Sequence, residues 1–281
     1  MIDQNNLVAL AVSGDKTALE ELIVSVRDRI YGIALRMLWH PQEAEDATQE
    51  ILIRILTNLS SFRQESRFST WACRIAANYL INVRRKQQIE QMTFDVFARD
   101  LDQDVNVEPD RWAEAEIELL SKELLIGCSQ AILQCLDRNH RIAYVLGEIF
   151  SFDSTEGALV TQTSAQVFRK RLSRARQKLE AFMQRRCGVV NPENRCRCRN
   201  RLTYAVESGR VDPEKLLFVT HPARERAEGE MIISDLKDLG NAVTLYRSHP
   251  EYHAPQKFTT MVRELISSGR YPVFHQGGEP V

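Results

Sequence analysis

From Glu43 to Leu59 the apolar residues Ala44, Ala47, Ile51, Ile55 and Leu59 recur every three or four positions, the spacing of one buried helix stripe. The spacing returns in Ala72, Ile75, Ala76, Tyr79 and Val83, and again in Ala165, Phe168, Leu172, Ala175 and Leu179. Strand-like alternation is weak, and only 12 Gly and 9 Pro interrupt 281 residues. These patterns predict an all-α fold with room for two or three small domains. There is no apolar run long enough to cross a membrane and no signal peptide in the polar start MIDQNN. The six cysteines lack a secreted disulfide pattern, so a cytoplasmic chain with reduced thiols is expected.

The helix at 43–59 carries a second face. Asp46, Gln49, Glu50 and Ile53 share it, an apolar anchor within a polar rim, where an ordinary solvated helix would show only polar residues. The loop FRQESRFSTW (62–71) follows, with Phe62, Arg63, Arg67 and Phe68 around a polar turn. A further helix is expected from a Ser69 or Thr70 cap to about Lys86. Trp71, Arg74, Asn78, Asn82 and Arg85 step along one face of it, ending in Arg84, Arg85 and Lys86. Such a face offers stacking surface, hydrogen bonds to base edges and phosphate contacts. The plainer alternative makes Phe62, Phe68 and Trp71 core residues that hold the two helices together.

Four parts are expected: 1–92, an acidic linker 93–118, a second helical unit 119–186 and an extension 187–281. The linker sets Asp95, Asp100, Asp102, Asp104, Glu108, Asp110, Glu114, Glu116 and Glu118 against only Arg99 and Arg111, and reads as a solvated tether or a nucleic-acid mimic. In the second unit, STEGALVTQTSAQVFRKRLSRARQKLEAF reads as helix, turn, helix, with Ser164 as cap and Gln166, Arg169, Lys170, Arg171, Ser173 and Arg174 outward. Arg and Lys suit guanine edges and Gln suits adenine in a major groove. Between Arg169 and Arg201 twelve basic residues face only Glu180 and Glu193, which predicts salt-dependent phosphate binding. In the extension, Cys187, Cys196 and Cys198 could bind zinc with a fourth ligand such as His221 or solvent, form a redox switch, or be structural thiols. Nearby arginines favour thiolates there, and His249 and His253 read as a surface turn.

Several of these motifs resemble one family. Gly14-Asp15-x-x-Ala18-x-Glu20-Glu21-Leu22, Asp46-x-x-Gln49-Glu50, the loop 62–71 with its following helix, and Lys170–Arg176 occur in the order found in bacterial sigma-70 factors of the extracytoplasmic-function type. The resemblance spans about residues 7–86 and 125–180. It implies that Asp46, Gln49 and Glu50, with Ile53 as anchor, dock on core RNA polymerase. It also implies that Arg63, Phe68, Trp71, Arg74, Asn78, Arg84 and Arg85 hold the opened minus-ten strand with a flipped base. Gln166, Arg169, Lys170, Arg171 and Arg174 would read the minus-thirty-five duplex. The first helix of this second motif departs from the family, with Thr155-Glu156-Gly157-Ala158 for Glu-Glu-Ile-Ala and Gln162 where the turn usually has Gly. Partners implied are core polymerase, promoter DNA, duplex and single-stranded, and an anti-sigma factor or self-inhibition by the extension. No enzyme activity, required cofactor or membrane is implied. The alternative is a duplex-binding helix-turn-helix regulator, redox- or metal-responsive through the cysteines.

Overall fold

The computed structural model describes residues 4–83, 92–103, 107–219, 241–255 and 257–267, so Arg84, Arg85, Asp104 and His221 lie outside the described residues. In chain order the α-helices are α1 (Gln4–Val12), α2 (Lys16–Leu38), α3 (Pro41–Thr57), α4 (Phe68–Asn82), α5 (Phe94–Leu101), α6 (Glu114–Gln134), α7 (Arg138–Tyr144), α8 (Ser154–Thr161), α9 (Ala165–Arg186), α10 (Leu202–Glu207), α11 (Ala242–Arg247) and α12 (Lys257–Ser267). The described residues contain no strand, and the all-α expectation holds. Among them no helix is long and apolar enough to cross a membrane. The chain forms two compact units, residues 1–83, 155–164 and 252–281 in the first, and 84–154 and 165–251 in the second.

The first unit is organised by α2. Gly14 takes φ 96, a conformation natural to glycine, and the Asp15 carboxylate then accepts the Ala18 amide at 2.9 Å as a cap. From Ile30 to Leu38 every residue of α2 is buried. A helix apolar all round must be surrounded, and α1, α3, α4 and α12 pack against it. Arg36 is held inside by donating to Gly32 O at 3.0 Å, with its guanidinium 4.9 Å from the Tyr252 ring centroid. The described residues from 252 to 267 belong to this unit too. Phe258 and Val262 are buried, Asp28 accepts the Ala254 amide at 3.1 Å, and Arg263 pairs with Glu20 at 2.6 Å. His253 lies 3.0 Å from Asp28, so it is part of this attachment and not a free surface turn.

In the second unit the acidic linker departs from expectation. Part of it is α5, whose Phe94 and Phe97 rings pack 5.2 and 6.0 Å from Phe182 on α9. Its carboxylates meet arginines of the extension. Asp100 accepts from Arg210 at 2.5 and 2.6 Å and from Tyr204 at 3.2 Å, and Arg199 bridges Glu108 at 2.7 Å and Glu114 at 2.5 Å. Asp102 pairs with Arg186, and the Val107 amide donates to Asn200 O at 2.8 Å. A tether carries acids for solubility; here they clamp a second chain segment. No break falls at residue 187 either. Leu202, Ala205 and Val211 share one buried cluster with Ile117 and Leu120 of α6. Buried Glu123 accepts the amides of Leu217, Phe218 and Val219 at 2.7 to 3.2 Å. His249 is buried with Nε2 2.9 Å from Ser129 Oγ, which corrects its assignment to a surface turn.

Burial pushes the Asp100 pKa up, but the Arg210 hydrogen bonds and charge, with Arg201 and Tyr204, outweigh it and hold the carboxyl below its ordinary value. A carboxylate depressed by folding stabilises fully above its unfolded pKa and loses that contribution as pH falls through the folded value. Asp100→Asn is therefore expected to destabilise the second unit by about 2 kcal/mol at neutral pH. Below about pH 4 the difference from the parent chain should shrink, as measured by urea melts across pH.

Candidate nucleic-acid and polymerase interface

On α3 the expected stripe is buried, with Ala44, Ala47, Ile51, Ile55 and the following Leu59 each no more than 3% exposed. Pro41 starts the helix, where its missing amide costs nothing. With that stripe fixed, Asp46 and Gln49 face solvent, and Glu50 and Ile53 are half-exposed beside them. Gln42 donates to Asp46 at 3.3 Å. Glu50 accepts from Arg54 at 2.8 Å, and the Arg54 guanidinium lies 4.8 Å from the Tyr79 ring centroid on α4. Glu50, Arg54 and Tyr79 thus join the acidic face of α3 to α4.

Behind that link is an open cleft of about 550 Å³. Arg54, Asn58 and Ser61 line one side, and Trp71, Arg74, Ile75, Asn78, Tyr79, Asn82 and Val83 the other. The inner stripe of α4 is therefore not the expected one. Ala72, Cys73, Ala76, Ala77 and Leu80 are buried, while Ile75, Tyr79 and Val83 are half-exposed in the cleft wall. The helix also begins earlier, at Phe68 after Arg67, which makes no side-chain cap, so neither Ser69 nor Thr70 caps it. Burial, then the charge of Glu50, raise the Tyr79 pKa despite Arg54, so its hydroxyl stays a neutral donor. Guanidinium, amide, hydroxyl and aromatic groups in one cleft can hold a flat, polar-edged ligand such as an unstacked base.

The loop before α4 requires a correction. Phe68 is 1% exposed and cannot stack on a base; it is a core residue. Phe62, Phe68 and Trp71 form one aromatic cluster, with centroids 5.3 to 5.8 Å apart. Trp71 is 5% exposed yet still lines the cleft, while Arg63 is fully on the surface. Arg67 reaches to 4.0 Å from Glu156, a residue of the same unit. Tyr79, Arg54 and Asn58 were missed in the sequence. Their signal was position: Arg54 and Asn58 follow the acidic face by one turn, and Tyr79 follows Asn78.

The helix, turn, helix order of 154–186 is present as α8 and α9, with Gln162 between them at φ 51. On α9, Phe168, Ala175 and Leu179 are buried as expected, with Met183 continuing the stripe, whereas Ala165 and Leu172 are half-buried. Gln166, Arg169, Lys170 and Arg174 are exposed and Arg171 half-exposed. Arg169 donates to Ser154 at 3.2 Å. Among the described residues, no carboxylate pairs with Lys170, Arg171 or Arg174. The wider basic patch is smaller than its composition. Arg176 pairs with Glu148, Arg186 with Asp102 and Arg199 with Glu108 and Glu114. Arg201 is buried against the carbonyls of Asp100, Leu101 and Gln103. These four support the fold, leaving the outer face of α9 as the cationic surface.

Comparison with known proteins agrees with the layout. Residues 22–89 match the Sigma-70 region 2 family. The ECF RNA polymerase sigma factor SigW of Bacillus subtilis is 41% identical over 75 residues, 27% of this chain and 40% of that protein. RNA polymerase sigma-H factor of Pseudomonas aeruginosa is 28% identical over 178 residues, 63% of this chain and 92% of that one. ECF RNA polymerase sigma-E factor of Escherichia coli K12 is 28% identical over 182 residues, 63% and 93% of the two chains. The solved sigma factor RpoE, in complex with the anti-sigma factor NepR from Bartonella quintana, aligns at a TM-score of 0.37 and 19% identity over 58% of this chain and 94% of that one. That likeness is too slight to carry weight. Residues 22–89 are thus a Sigma-70 region 2 domain, and the relatives that this chain matches over most of their length are RNA polymerase sigma factors.

Two substitutions separate core from cleft. Phe68→Ala is expected to destabilise the first unit by roughly 3–5 kcal/mol, as buried phenylalanines do, whereas Asn78→Ala changes stability by no more than about 0.5 kcal/mol; thermal melts read both. Gln162→Gly is expected to stabilise by roughly 1 kcal/mol, because only glycine takes positive φ without steric cost. Chemical denaturation checks it.

Proposed function

We propose that the chain is a sigma subunit that joins core RNA polymerase, recognises promoter DNA and opens the minus-ten element. The carrying observation is that the family match over 22–89 coincides with the cleft of about 550 Å³ between α3 and α4. In this reading Asp46, Gln49, Glu50 and Ile53 dock on the polymerase. Arg63, Trp71, Arg74 and Asn78 hold the opened strand, with Arg84 and Arg85 continuing onto phosphates. Gln166, Arg169, Lys170, Arg171 and Arg174 read the upstream duplex from α9. No covalent chemistry is assigned. Strand opening is driven by binding: unstacking costs a few kcal/mol per base, and stacking with polar contacts in the cleft returns a similar amount. The chain would act in the cytoplasm, where polymerase and promoters are.

The reading divides the variants into two groups. Asp46→Ala with Gln49→Ala should weaken association with core polymerase at least about tenfold without altering thermal stability. Asn78→Ala and Arg74→Ala should leave core association unchanged and reduce permanganate-reactive thymines at the minus-ten element. Equal promoter opening by Asn78→Ala, Arg74→Ala and the parent chain would remove the cleft from the mechanism.

A further inference from the structure

The extension's cysteines have a fourth companion. Cys187 follows the end of α9, Cys196 and Cys198 lie in the next loop, and all three line one small apolar void with Cys128, from the middle of α6. The void measures about 20 Å³, and its walls include Leu125, Ile132 and Met183, with Ser129 and Arg186 as the polar residues besides the cysteines. No disulfide links any of these cysteines. The other two, Cys73 and Cys135, are not in its lining.

The chain path around the void is held closely. Gly188 donates its amide to Cys196 O at 3.1 Å. A Cβ on Gly188 would lie 2.2 Å from that same oxygen and 1.7 Å from Arg197 Nη1, so no side chain fits there. The turn after Cys187 is closed by Asn191 N donating to Cys187 O at 2.9 Å, and the Val189 and Val190 amides donate to the Cys187 sulfur. Asn194 ties the loop down through Gln184 O at 3.0 Å and Cys187 O at 3.1 Å. Amides directed at a sulfur favour its thiolate form and are a common outer shell of metal-bound cysteine. Without metal, however, burial dominates. It pushes Cys196 up to about 11 and raises Cys187, Cys198 and Cys128 as well, with Arg197 and Arg201 only partly opposing. The expectation that the arginines alone make reactive thiolates is thereby corrected.

We propose that Cys128, Cys187, Cys196 and Cys198 form a structural tetrathiolate zinc site that fastens the extension to α6. As the side chains lie, no three His, Cys, Asp or Glu among the described residues stand in metal-ligand geometry. Each sulfur swings on a single χ1 torsion with three staggered positions, and the ion gathers them by side-chain rotation. Four thiols without a carboxylate suit zinc, which takes four sulfurs tetrahedrally. Each bound thiol gives its proton to solvent, leaving a site of charge −2 that the buried Arg201 and the neighbouring Arg197 offset.

The test is the metal content of the full untagged chain, purified under reducing conditions and dialysed against metal-free buffer. About one zinc per chain is expected, as a closed structural site retains its ion. Cys128→Ser and Cys198→Ser should lose it, whereas Cys73→Ser and Cys135→Ser should keep it. Cobalt(II) offered to the stripped chain should give an intense sulfur-to-metal charge-transfer band. A readout without variants is alkylation mapped by mass spectrometry: Cys128, Cys187, Cys196 and Cys198 should be protected together and become reactive together on adding a chelator. A parent chain that holds no zinc and gives no cobalt band overturns the site. So does full zinc retention by Cys128→Ser, or labelling of Cys128 independent of the chelator.

Discussion

Everything the first unit can do depends on the burial of α2. Its nine residues from Ile30 to Leu38 have no solvent face, so α1, α3, α4 and α12 must each spend an apolar stripe on it. Once the stripes of α3 and α4 are committed inward, the remaining faces meet along a polar seam. The cleft lined by Arg54, Asn58, Arg74, Asn78 and Tyr79 is that seam. Burying a helix on all sides thus builds a polar site nearby, because amphipathic helices packed on a common core have nowhere else to put their polar faces.

The second unit is held differently. A chain of net charge −1 conceals an acidic run at 95–118 and a basic run at 169–201, and the fold brings parts of the two runs into contact. Arg186, Arg199 and Arg201, with Arg210 just beyond the basic run, meet Asp100, Asp102, Glu108 and Glu114. Exposed pairs of this kind are worth little singly. Around the half-buried Asp100, with Arg201 almost fully enclosed, they fix the register of one segment on another. The arginines left unpaired on α9 are then the cationic surface available to a phosphate backbone.

Much of this was legible in the sequence. The 3–4 spacing in α2, α3 and α9 and the Asp15 cap correspond to the observed helices, and Asp46, Gln49, Asn78 and Lys170 are where periodicity put them. What periodicity could not reveal was pairing at long range. Composition made the linker look solvated, because nothing local in Asp100 or Glu108 announces an arginine about a hundred positions away. Cys128 was invisible as a companion of Cys187 for the same reason. Phe68 and Tyr79 exchanged roles because α4 includes Phe68 and buries the stripe Ala72, Cys73, Ala76, Ala77 and Leu80, which puts the Phe68 ring in the core and leaves Tyr79 in the cleft wall. The boundary of that helix depended on Arg67, which makes no side-chain cap that a sequence rule could find.

The central claim is promoter-specific initiation, and the most direct measurement is run-off transcription with purified core RNA polymerase on genomic promoter fragments, with and without the full chain. Discrete transcripts of defined start, present only when the chain is added, are expected. Core polymerase that neither binds the chain nor initiates at any fragment in its presence would contradict the sigma reading and leave α9 as the working element of a duplex-binding regulator.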